Sequence, residues 1–549
     1  MELRRLIVLS LLAAAPLGAQ QEPLTRADTL RGSVTRERSW WDVVYYDLSL
    51  RVNPAETSIS GSNTIHYEVT GERSDMQIDL AEALTVDSVV QQGVKLQHRR
   101  DGDVVIVQGA AAQGNGGRHS VTIYYRGRPR AAQNAPWDGG FVWARDPQGR
   151  PWVGTAVQGI GASQFWPNKD HQSDEPDSMR IRVTVPQPMI EVSNGRLERT
   201  QQNADGTITY HWVVKNPINN YGVTVNAGSY VHFSDRYEGE KGPLDLDYWV
   251  LEQNLEAARR QFQQVKPMLS CFESWFGPYP FYEDGFKLVE TPYLGMEHQS
   301  AIAYGNRYMN GYLGQDLSRT GLGLTWDYII VHEAGHEWFG NNITTKDIAD
   351  MWVHEGFTTY SEGIFVECQQ GKEAGARYLI GLRSMIENAQ PITGPYGVNR
   401  EGSGDMYPKG ANLLHTLRQV IDDDALWRQI LRGLNETFRH QTVTSSELEA
   451  YISRRANRDF SKVFEQYLRR GALPVLEYSL QNGTLRYRWR ADVEGFDLPL
   501  RVALGGGRSG WISPVTGSWK TEAVQLASPA DFRVDPNFYV GVQEVRPGS

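Results

Sequence analysis

The chain is poor in cysteine, in long apolar runs and in surplus positive charge, and each shortage excludes a class of protein. Two cysteines in 549 residues are too few for a disulfide-built scaffold. Neither Cys271 nor Cys368 lies at a metal-ligand spacing from the histidine pair His332 and His336, and the two thiols either form a disulfide or stay free and buried. A net charge of −10 without a long basic run argues against binding to nucleic acid or to an anionic membrane.

The longest apolar run lies at the amino terminus. Arg4 and Arg5 precede an apolar stretch over residues 6–15, and small residues follow up to residue 19. This pattern predicts a signal peptide over residues 1–19, because the run is too short for a membrane anchor. Residues 20–39 are polar without apolar periodicity, which predicts a mobile leader. We therefore expect an exported protein, periplasmic or secreted, with no stable membrane insertion after the signal is removed.

Apolar periodicity divides the remaining chain into three parts. Residues 40–232 alternate like strands, as at Tyr46, Leu48 and Leu50, and Asp101-Gly102 predicts a hairpin. Residues 233–472 are mainly helical: apolar positions recur at three and four over residues 247–275, and helices are predicted from about Glu355, from Pro408 and after a capping box at residues 444–447. Residues 473–545 alternate again, which predicts a small C-terminal β-sandwich. The fold class is α+β and multidomain.

Residues 332–336 read His-Glu-Ala-Gly-His within an apolar run that predicts a helix. Side chains four apart share one face of a helix, so His332 and His336 can bind one metal ion while Glu333 lies beside it. This arrangement suits zinc, with a carboxylate that takes a proton from water. The motif is short enough to occur by chance, and two surface histidines on an amphipathic helix are the alternative.

A catalytic zinc site uses three protein ligands and leaves a position for water. Eighteen residues separate His336 from Glu355, which stands at the start of the next predicted helix, and that helix can pack beside the first. Glu355 is the predicted third ligand of one Zn²⁺ per chain, and a helix-start carboxylate is the alternative. Carboxylates should also orient the zinc histidines. Asp350 and Glu362 are the candidates, with solvated surface positions as the alternative.

Four segments resemble the zinc aminopeptidases of the membrane alanyl aminopeptidase and leukotriene hydrolase family, the gluzincin metallopeptidase family M-one. Residues 350–357, Asp-Met-Trp-Val-His-Glu-Gly-Phe, are similar to the family's Asp-x-Trp-Leu-Asn-Glu-Gly-Phe, and residues 407–411, Tyr-Pro-Lys-Gly-Ala, to its Tyr-Glu-Lys-Gly-Ala. Residues 294–298, Leu-Gly-Met-Glu-His, resemble its Gly-x-Met-Glu-Asn motif, and residues 46–50 resemble the start of its β domain. The resemblance implies a saddle-like antiparallel N-terminal β domain, a thermolysin-like catalytic domain, a zinc ion and removal of N-terminal residues from peptides.

The resemblance also implies roles outside the zinc motif. Tyr407 matches the family's oxyanion-stabilising tyrosine, although a tyrosine that merely packs at a helix start is the alternative. Glu297 matches its amine-binding glutamate, in one motif with Gly295 and Met296. Gln158 matches a second amine-binding position in the β domain. A solvent-facing loop glutamine is the alternative there, and Gln164 is a competing candidate.

Two positions depart from the family motif. Leu294 and His298 stand where the family has glycine and asparagine. The resemblance therefore does not define the shape of the pocket for the first substrate side chain. His298 is either a further polar contact or a packed loop histidine. The part of the chain after Tyr478 is β in pattern, so the helical C-terminal domain of larger relatives is not expected.

These observations favour an exported zinc metallo-aminopeptidase in which a zinc-activated water attacks the peptide bond and Glu333 is the general base. Its partners would be peptides with a free N-terminus. An endopeptidase or a non-peptide hydrolase on the same scaffold is one alternative, and a non-catalytic binding protein is another. Glu297 favours the aminopeptidase, because an endopeptidase gains nothing from an amine anchor. The intact set of His332, Glu355 and Tyr407 argues against loss of catalysis.

Overall fold

The computed structural model describes residues 23–72, 74–110, 117–526 and 528–546. The predicted signal peptide, residues 1–19, lies outside the described residues. The prediction of a mobile leader over residues 20–39 is wrong in part, because helix α1 (Arg26–Gly32) forms there behind a capping box of Thr25 and Asp28. The Asn399 backbone N–H donates to Asp28 O at 3.0 Å, which fixes α1 to a distant loop. A short polar helix of this kind has no apolar stripe for a sequence pattern to detect.

The N-terminal region is a β domain of three sheets. An eight-stranded sheet has the order β13-β14-β11-β1-β2-β8-β4-β5, a four-stranded sheet has the order β12-β15-β10-β9, and a three-stranded sheet has the order β3-β7-β6. The strands are β1 (Trp41–Asn53), β2 (Ser58–Val69), β3 (Met76–Asp79), β4 (Leu84–Gln91), β5 (Val94–Leu96), β6 (His98–Asp101), β7 (Val104–Val107), β8 (Arg118–Gly127), β9 (Gly140–Arg145), β10 (Pro151–Ala156), β11 (Ser178–Pro186), β12 (Ile190–Val192), β13 (Arg196–Gln202), β14 (Thr207–Val214) and β15 (Asn226–Gly228).

The alternation in the sequence matches the faces of the large sheet. Tyr46, Leu48 and Leu50 of β1 are buried, and the polar residues between them face outward or are half-buried. Most pairs in this domain are antiparallel, as predicted, but β1 runs parallel to β11 from the pair Tyr45 and Ser178 onward. The turn after Asp101 joins β6 to β7 as the predicted hairpin.

The middle region carries a five-stranded sheet, order β16-β17-β18-β20-β19, under a set of helices. The predicted boundary after residue 232 falls inside β16, and the helix predicted from residue 247 is wrong at its start, because residues 247–251 complete β17. The elements are β16 (Tyr230–Gly239), β17 (Gly242–Leu251), α2 (Leu255–Gln261), α3 (Val265–Phe276), β18 (Phe286–Glu290), β19 (Gly295–Met296), β20 (Ile302–Tyr304), α4 (Tyr328–Gly335), β21 (Ile343–Thr345), α5 (Trp352–Gln370), α6 (Lys372–Leu382), α7 (Pro408–Ile421), α8 (Asp424–Thr437), β22 (Gln441–Val443), α9 (Ser445–Arg455) and α10 (Ser461–Leu468).

One apolar core lies within the β domain, and a second runs continuously through the helical and C-terminal regions. Helix α5 is buried along most of its length, from Trp352 to Val366, so it forms the centre of the helical region. Cys271 of α3 and Cys368 of α5 form a disulfide with Cα atoms 6.1 Å apart, which answers the open question about the two thiols. No helix in the described ranges is long and apolar enough to cross a bilayer.

The C-terminal region is a small β unit of two sheets. Its strands are β23 (Val475–Gln481), β24 (Thr484–Arg490), β25 (Leu500–Gly505), β26 (Arg508–Ile512), β27 (Lys520–Ala523) and β28 (Gly541–Glu544). The sheets have the orders β27-β24-β23-β28 and β25-β26. The predicted α+β multidomain fold, with a β domain, a mainly helical domain and a terminal β unit, is confirmed.

Candidate metal and active site

Helix α4 presents both motif histidines to the interior. Asp327 caps its N-terminus by accepting from the backbone N–H groups of Ile329 and Ile330 at 3.1 and 3.3 Å. The helix ends at Gly335, and His336 is its C-cap. A wider turn follows over Glu337–Asn341. Both imidazoles are buried, with ring centroids 5.1 Å apart.

Helix α5 brings Glu355 against the two rings. Glu355 Oε2 lies 3.6 Å from His332 Nε2 and 3.3 Å from His336 Nε2, and the three ligand atoms lie within 4.8 Å of one another. Glu355 Oε2 is buried and has no hydrogen-bond partner. Two imidazole nitrogens and this unsatisfied carboxylate oxygen converge on one point, and they are the donor set of a catalytic zinc site. The residues therefore fit the predicted ion.

Electrostatics favour a cation at this point. Burial lowers the pKa of His336, but the charges of Glu355 and Glu297 outweigh burial and raise the pKa to about 9. Burial raises the pKa of Glu355, but the neighbouring histidines outweigh it and hold that pKa well below its usual value. In the metal-free protein, protons on the rings thus neutralise the carboxylate. A bound metal ion would replace the proton that each Nε2 holds.

The outer nitrogens of both rings are held by protein atoms. His332 Nδ1 lies 2.7 Å from Glu362 Oε1, and the Tyr378 hydroxyl donates to Glu362 Oε2 at 2.7 Å. His336 Nδ1 lies 3.0 Å from Phe339 O. An Nδ1–H that donates outward leaves Nε2 as the metal-binding atom.

The prediction that Asp350 orients a zinc histidine is wrong. Asp350 accepts from the Tyr396 hydroxyl at 2.7 Å and from the Ser445 backbone N–H at 2.9 Å, so it joins the start of α9 to a neighbouring loop. Its position before α5 suggested nearness to the metal. The side chain is instead buried in a network that excludes both histidine rings.

Glu333 and Tyr407 each lie beside one of the zinc-binding histidines. Glu333 is buried, and a Cβ at Gly295 would lie 2.8 Å from Glu333 Oε1, so only glycine allows this close approach. Tyr407 precedes α7 and stacks on His332 with centroids 6.1 Å apart. Burial, then the charges of Glu355 and Glu401, raise the pKa of Tyr407 well above its usual value, so its hydroxyl keeps its proton.

The predicted amine-binding side chains enter the same place from two domains. Glu297 is buried, and its Oε1 has no hydrogen-bond partner among the described residues. Single ligand atoms of Glu297, Glu333 and His336 lie within 4.8 Å of one another. Gln158 of the β domain donates through Nε2 to Glu355 Oε1 at 3.1 Å. The side-chain oxygen of Gln158 can therefore accept a hydrogen bond from a ligand. The competing Gln164 is absent from the cavity lining.

The two positions that depart from the family motif differ in location. Leu294 lines the cavity with Gly295 and Met296, whereas His298 is fully buried and has no hydrogen-bond partner on either ring nitrogen. Burial lowers the pKa of His298 to about 3, so the ring is neutral. His298 is therefore the packed loop histidine of the two alternatives.

The predicted zinc ligands, catalytic residues and amine-binding residues line one cavity of about 540 Å³. Part of its lining escaped the sequence prediction, because it comes from loops that no motif marks. Tyr328 offered a local signal, since it lies four residues before His332 and its hydroxyl lies 3.2 Å from His332 Nδ1. The other lining residues without a predicted role include Pro136, Trp137, Ile160, Tyr312, Leu317, Leu382, Met385 and Glu401.

Comparison with known proteins gives one consistent family. The model described as "Peptidase family M1 domain" matches residues 260–467, and "Peptidase M1 N-terminal domain" matches residues 43–221. A probable aminopeptidase 1 of Sulfurisphaera tokodaii is 21% identical over 85% of this chain and 59% of its own length. Leukotriene A-4 hydrolase of Xenopus laevis is 23% identical over 49% of this chain and 44% of its own. The chain thus spans about half the length of these curated relatives.

Solved structures share the fold. An M1 zinc metallopeptidase variant from Deinococcus radiodurans, solved with a Tyr-Ser-Ala substrate, has a TM-score of 0.65 and 21% identity and covers 80% of this chain and 96% of its own. The wild-type enzyme of that organism gives a TM-score of 0.64. With the donor set of His332, His336 and Glu355, these findings identify zinc as the metal. The chain is a member of peptidase family M1.

Proposed function

We propose that this protein is an exported zinc aminopeptidase that hydrolyses the N-terminal residue from peptides. One observation carries the proposal. The buried, unpartnered oxygen of Glu297 lies beside Glu333 and His336, inside the cavity that holds the metal ligands. A buried carboxylate oxygen without a donor is costly, and a substrate ammonium group would satisfy it.

His332, His336 and Glu355 would hold the zinc ion, which supplies a positive charge that polarises the scissile carbonyl and acidifies water. Glu333 lies beside these ligands without belonging to them, so its carboxylate is free to move protons. It takes the proton of the attacking water and delivers it to the nitrogen of the leaving peptide. Proton transfer by a positioned carboxylate is worth about 10²- to 10⁴-fold in rate.

Tyr407 donates a hydrogen bond to the oxygen that becomes negative in the transition state. Its hydroxyl stays protonated because burial and the surrounding carboxylates raise its pKa. Stacking on His332 holds the ring next to the metal ligands. A donor placed for the transition state lowers the barrier without tightening ground-state binding.

Glu297 and Gln158 set the register of cleavage. A carboxylate oxygen and an amide oxygen next to the metal ligands accept hydrogen bonds from the substrate ammonium group. The Gln158 amide is held in place because its Nε2 donates to Glu355 Oε1. With the amine fixed beside Glu333, the first peptide bond is the one that the attacking water reaches.

Two features support export. The amino-terminal sequence has the charged, apolar and small-residue order of a signal peptide. The Cys271–Cys368 disulfide suits an oxidising compartment, such as the periplasm or the extracellular medium. Fractionation of cells that express the full chain tests this part: the protein should be found outside the cytoplasm, and retention in the cytoplasm would contradict it.

The register is tested with matched peptides that have free or N-acetylated amino termini. We expect release of the first residue from the free peptide and at least a hundredfold lower kcat/KM for the acetylated one. Equal cleavage of both would indicate an endopeptidase or another hydrolase. Absence of cleavage after zinc is added would indicate a binding protein.

A further inference from the structure

Glu401 is the one cavity glutamate without a task in the proposed reaction. Its four companions bind the metal, orient His332, move protons or accept the amine. The described lining contains no lysine or arginine to balance them. The five glutamates of the lining are Glu297, Glu333, Glu355, Glu362 and Glu401.

The carboxylate of Glu401 is left unpaired. Among the residues that the structure describes, no side chain forms an ion pair with it and no donor is hydrogen-bonded to it. The side chain lines the cavity and is exposed to solvent there. Partial desolvation there, together with the charge of Glu355, raises the pKa of Glu401 to about 7. A cation next to this carboxylate would relieve both penalties.

The backbone around Glu401 is fixed from both sides. Asn399 Nδ2 donates to Gly159 O at 3.2 Å, which ties the loop to the segment that carries Gln158. On the other side, Ser403 N donates to Pro391 O at 3.0 Å, and a Cβ at Gly402 would lie 2.0 Å from Ile392 O. The position of Glu401 is therefore set without help from its own side chain, as expected for a group that receives a ligand.

Apolar side chains line the same cavity. Leu382 is the last residue of α6, and Met385 lies in the segment that follows. Asp405 joins that segment to the Glu401 loop by accepting from the backbone N–H groups of Glu387 and Asn388 at 2.8 and 2.7 Å. A long cationic side chain has an apolar stem and a charged end. Met385 and Leu382 can pack against the apolar stem of such a side chain, and the Glu401 carboxylate can pair with its charged end.

From this geometry we infer that Glu401 selects substrates with a lysine or arginine side chain next to the scissile bond. The inference rests on the proposed aminopeptidase function and adds a substrate class to it. The selected side chain is that of the first or of the second residue, since the cavity is continuous from Gln158 to Tyr407.

Selectivity ratios test the inference. Lysyl and norleucyl aminoacyl-coumarins probe the first position, and the peptides Ala-Lys-Ala and Ala-norleucyl-Ala probe the second. We expect the wild type to prefer lysine at one of the two positions. Glu401→Gln should lower that kcat/KM ratio about ten- to hundredfold, because a charge-assisted contact is lost. Cleavage of alanyl-coumarin should be nearly unchanged.

The matched control is Glu387→Gln, which removes an exposed carboxylate outside the cavity lining and should leave every ratio unchanged. Calorimetric binding to Glu333→Gln and to the Glu333→Gln, Glu401→Gln double variant gives the same ratios without turnover. Lys-Ala and norleucyl-Ala report on the first position, and Ala-Lys-Ala and Ala-norleucyl-Ala report on the second. Unchanged ratios at both positions, or an equal loss for all substrates, would overturn the inference. Failure to cleave alanyl-coumarin would contradict the proposed function alone, because the binding ratio still tests Glu401.

Discussion

The metal-binding wall of the cavity lies on helices α4 and α5, whereas the substrate-facing wall lies on loops. On the helices, the outer nitrogens of His332 and His336 are hydrogen-bonded to Glu362 and to Phe339 O. On the loops, Trp137 is 63% exposed and the Glu401 carboxylate is unpaired within the described chain.

This difference separates two requirements. A metal site needs ligands that are held in one geometry before the ion arrives, and pairing of the outer atoms provides this. A substrate site needs groups that still have hydrogen-bonding capacity, and the unpartnered Glu297 Oε1 has it. The two walls therefore respond differently to mutation: changes to the first should affect metal affinity, and changes to the second should affect KM and specificity.

The largest effect is expected for Glu333→Gln, a change on α4 beside the metal ligands. Loss of the proton-accepting carboxylate should lower kcat by about 10²- to 10⁴-fold. The zinc content should stay at the wild-type value, because Glu333 is outside the ligand set. Steady-state kinetics with metal analysis of the same sample checks both. Loss of zinc in this variant would refute the role assigned to Glu333.

Tyr407→Phe should have the next largest effect. Removing the hydroxyl that donates to the developing oxyanion should lower kcat about 10²- to 10³-fold with little change in KM. The stack on His332 is retained by phenylalanine, so the fold should be preserved. An unchanged kcat, or a rise in KM alone, would show that the hydroxyl acts in ground-state binding.

Tyr378→Phe tests the metal-binding wall through a residue that contacts Glu362 and not the zinc ligands themselves. The Tyr378 hydroxyl holds Glu362, which in turn orients His332, so zinc affinity should fall about tenfold. Competition with a fluorescent chelator measures the affinity. Tyr360→Phe is the control, since that buried hydroxyl on α5 accepts from Trp427 Nε1 and takes no part in the described hydrogen bonds of Glu362. Equal losses in both variants would indicate general destabilisation.

The smallest effect is expected away from the cavity, at His415. Burial lowers the pKa of this histidine to about 4, so between pH 6.5 and 4 the unfolded chain binds a proton that the folded chain refuses. Wild-type stability is therefore lost as the pH falls through this window. His415→Gln removes this loss, so its stability deficit should shrink by about 1 kcal/mol between pH 7 and pH 5.5. Urea unfolding at both pH values measures it, and a constant deficit would contradict the assignment.

The sequence predicted the parts of the molecule that follow local spacing. His332 and His336 are four apart on one helix, and β1 alternates along its length, so a periodic pattern is enough. The interval 247–251 was misassigned because an apolar alternation near a helix is also compatible with helical spacing. Asp350 was misassigned for another reason, since nearness in sequence to Glu355 does not fix the direction of a side chain.

Other parts depend on contacts between distant segments. Tyr378 meets Glu362 across α5 and α6, and Glu401 reaches the cavity because its loop is tied to Gly159, 240 positions away from Asn399. No periodicity or short motif in the sequence predicts these contacts between distant segments. Helix α1 belongs to the same class, since its contact with the 399 loop is what distinguishes it from a polar leader.

Titration of the metal-free enzyme with zinc tests the account most directly. Release of the first residue from an alanyl peptide is followed while Zn²⁺ is added to protein stripped by a chelator. We predict that activity rises in proportion to added zinc and levels off at one ion per chain. Full activity in the stripped protein, or no activity at one zinc per chain, would contradict a reaction that depends on zinc held by His332, His336 and Glu355.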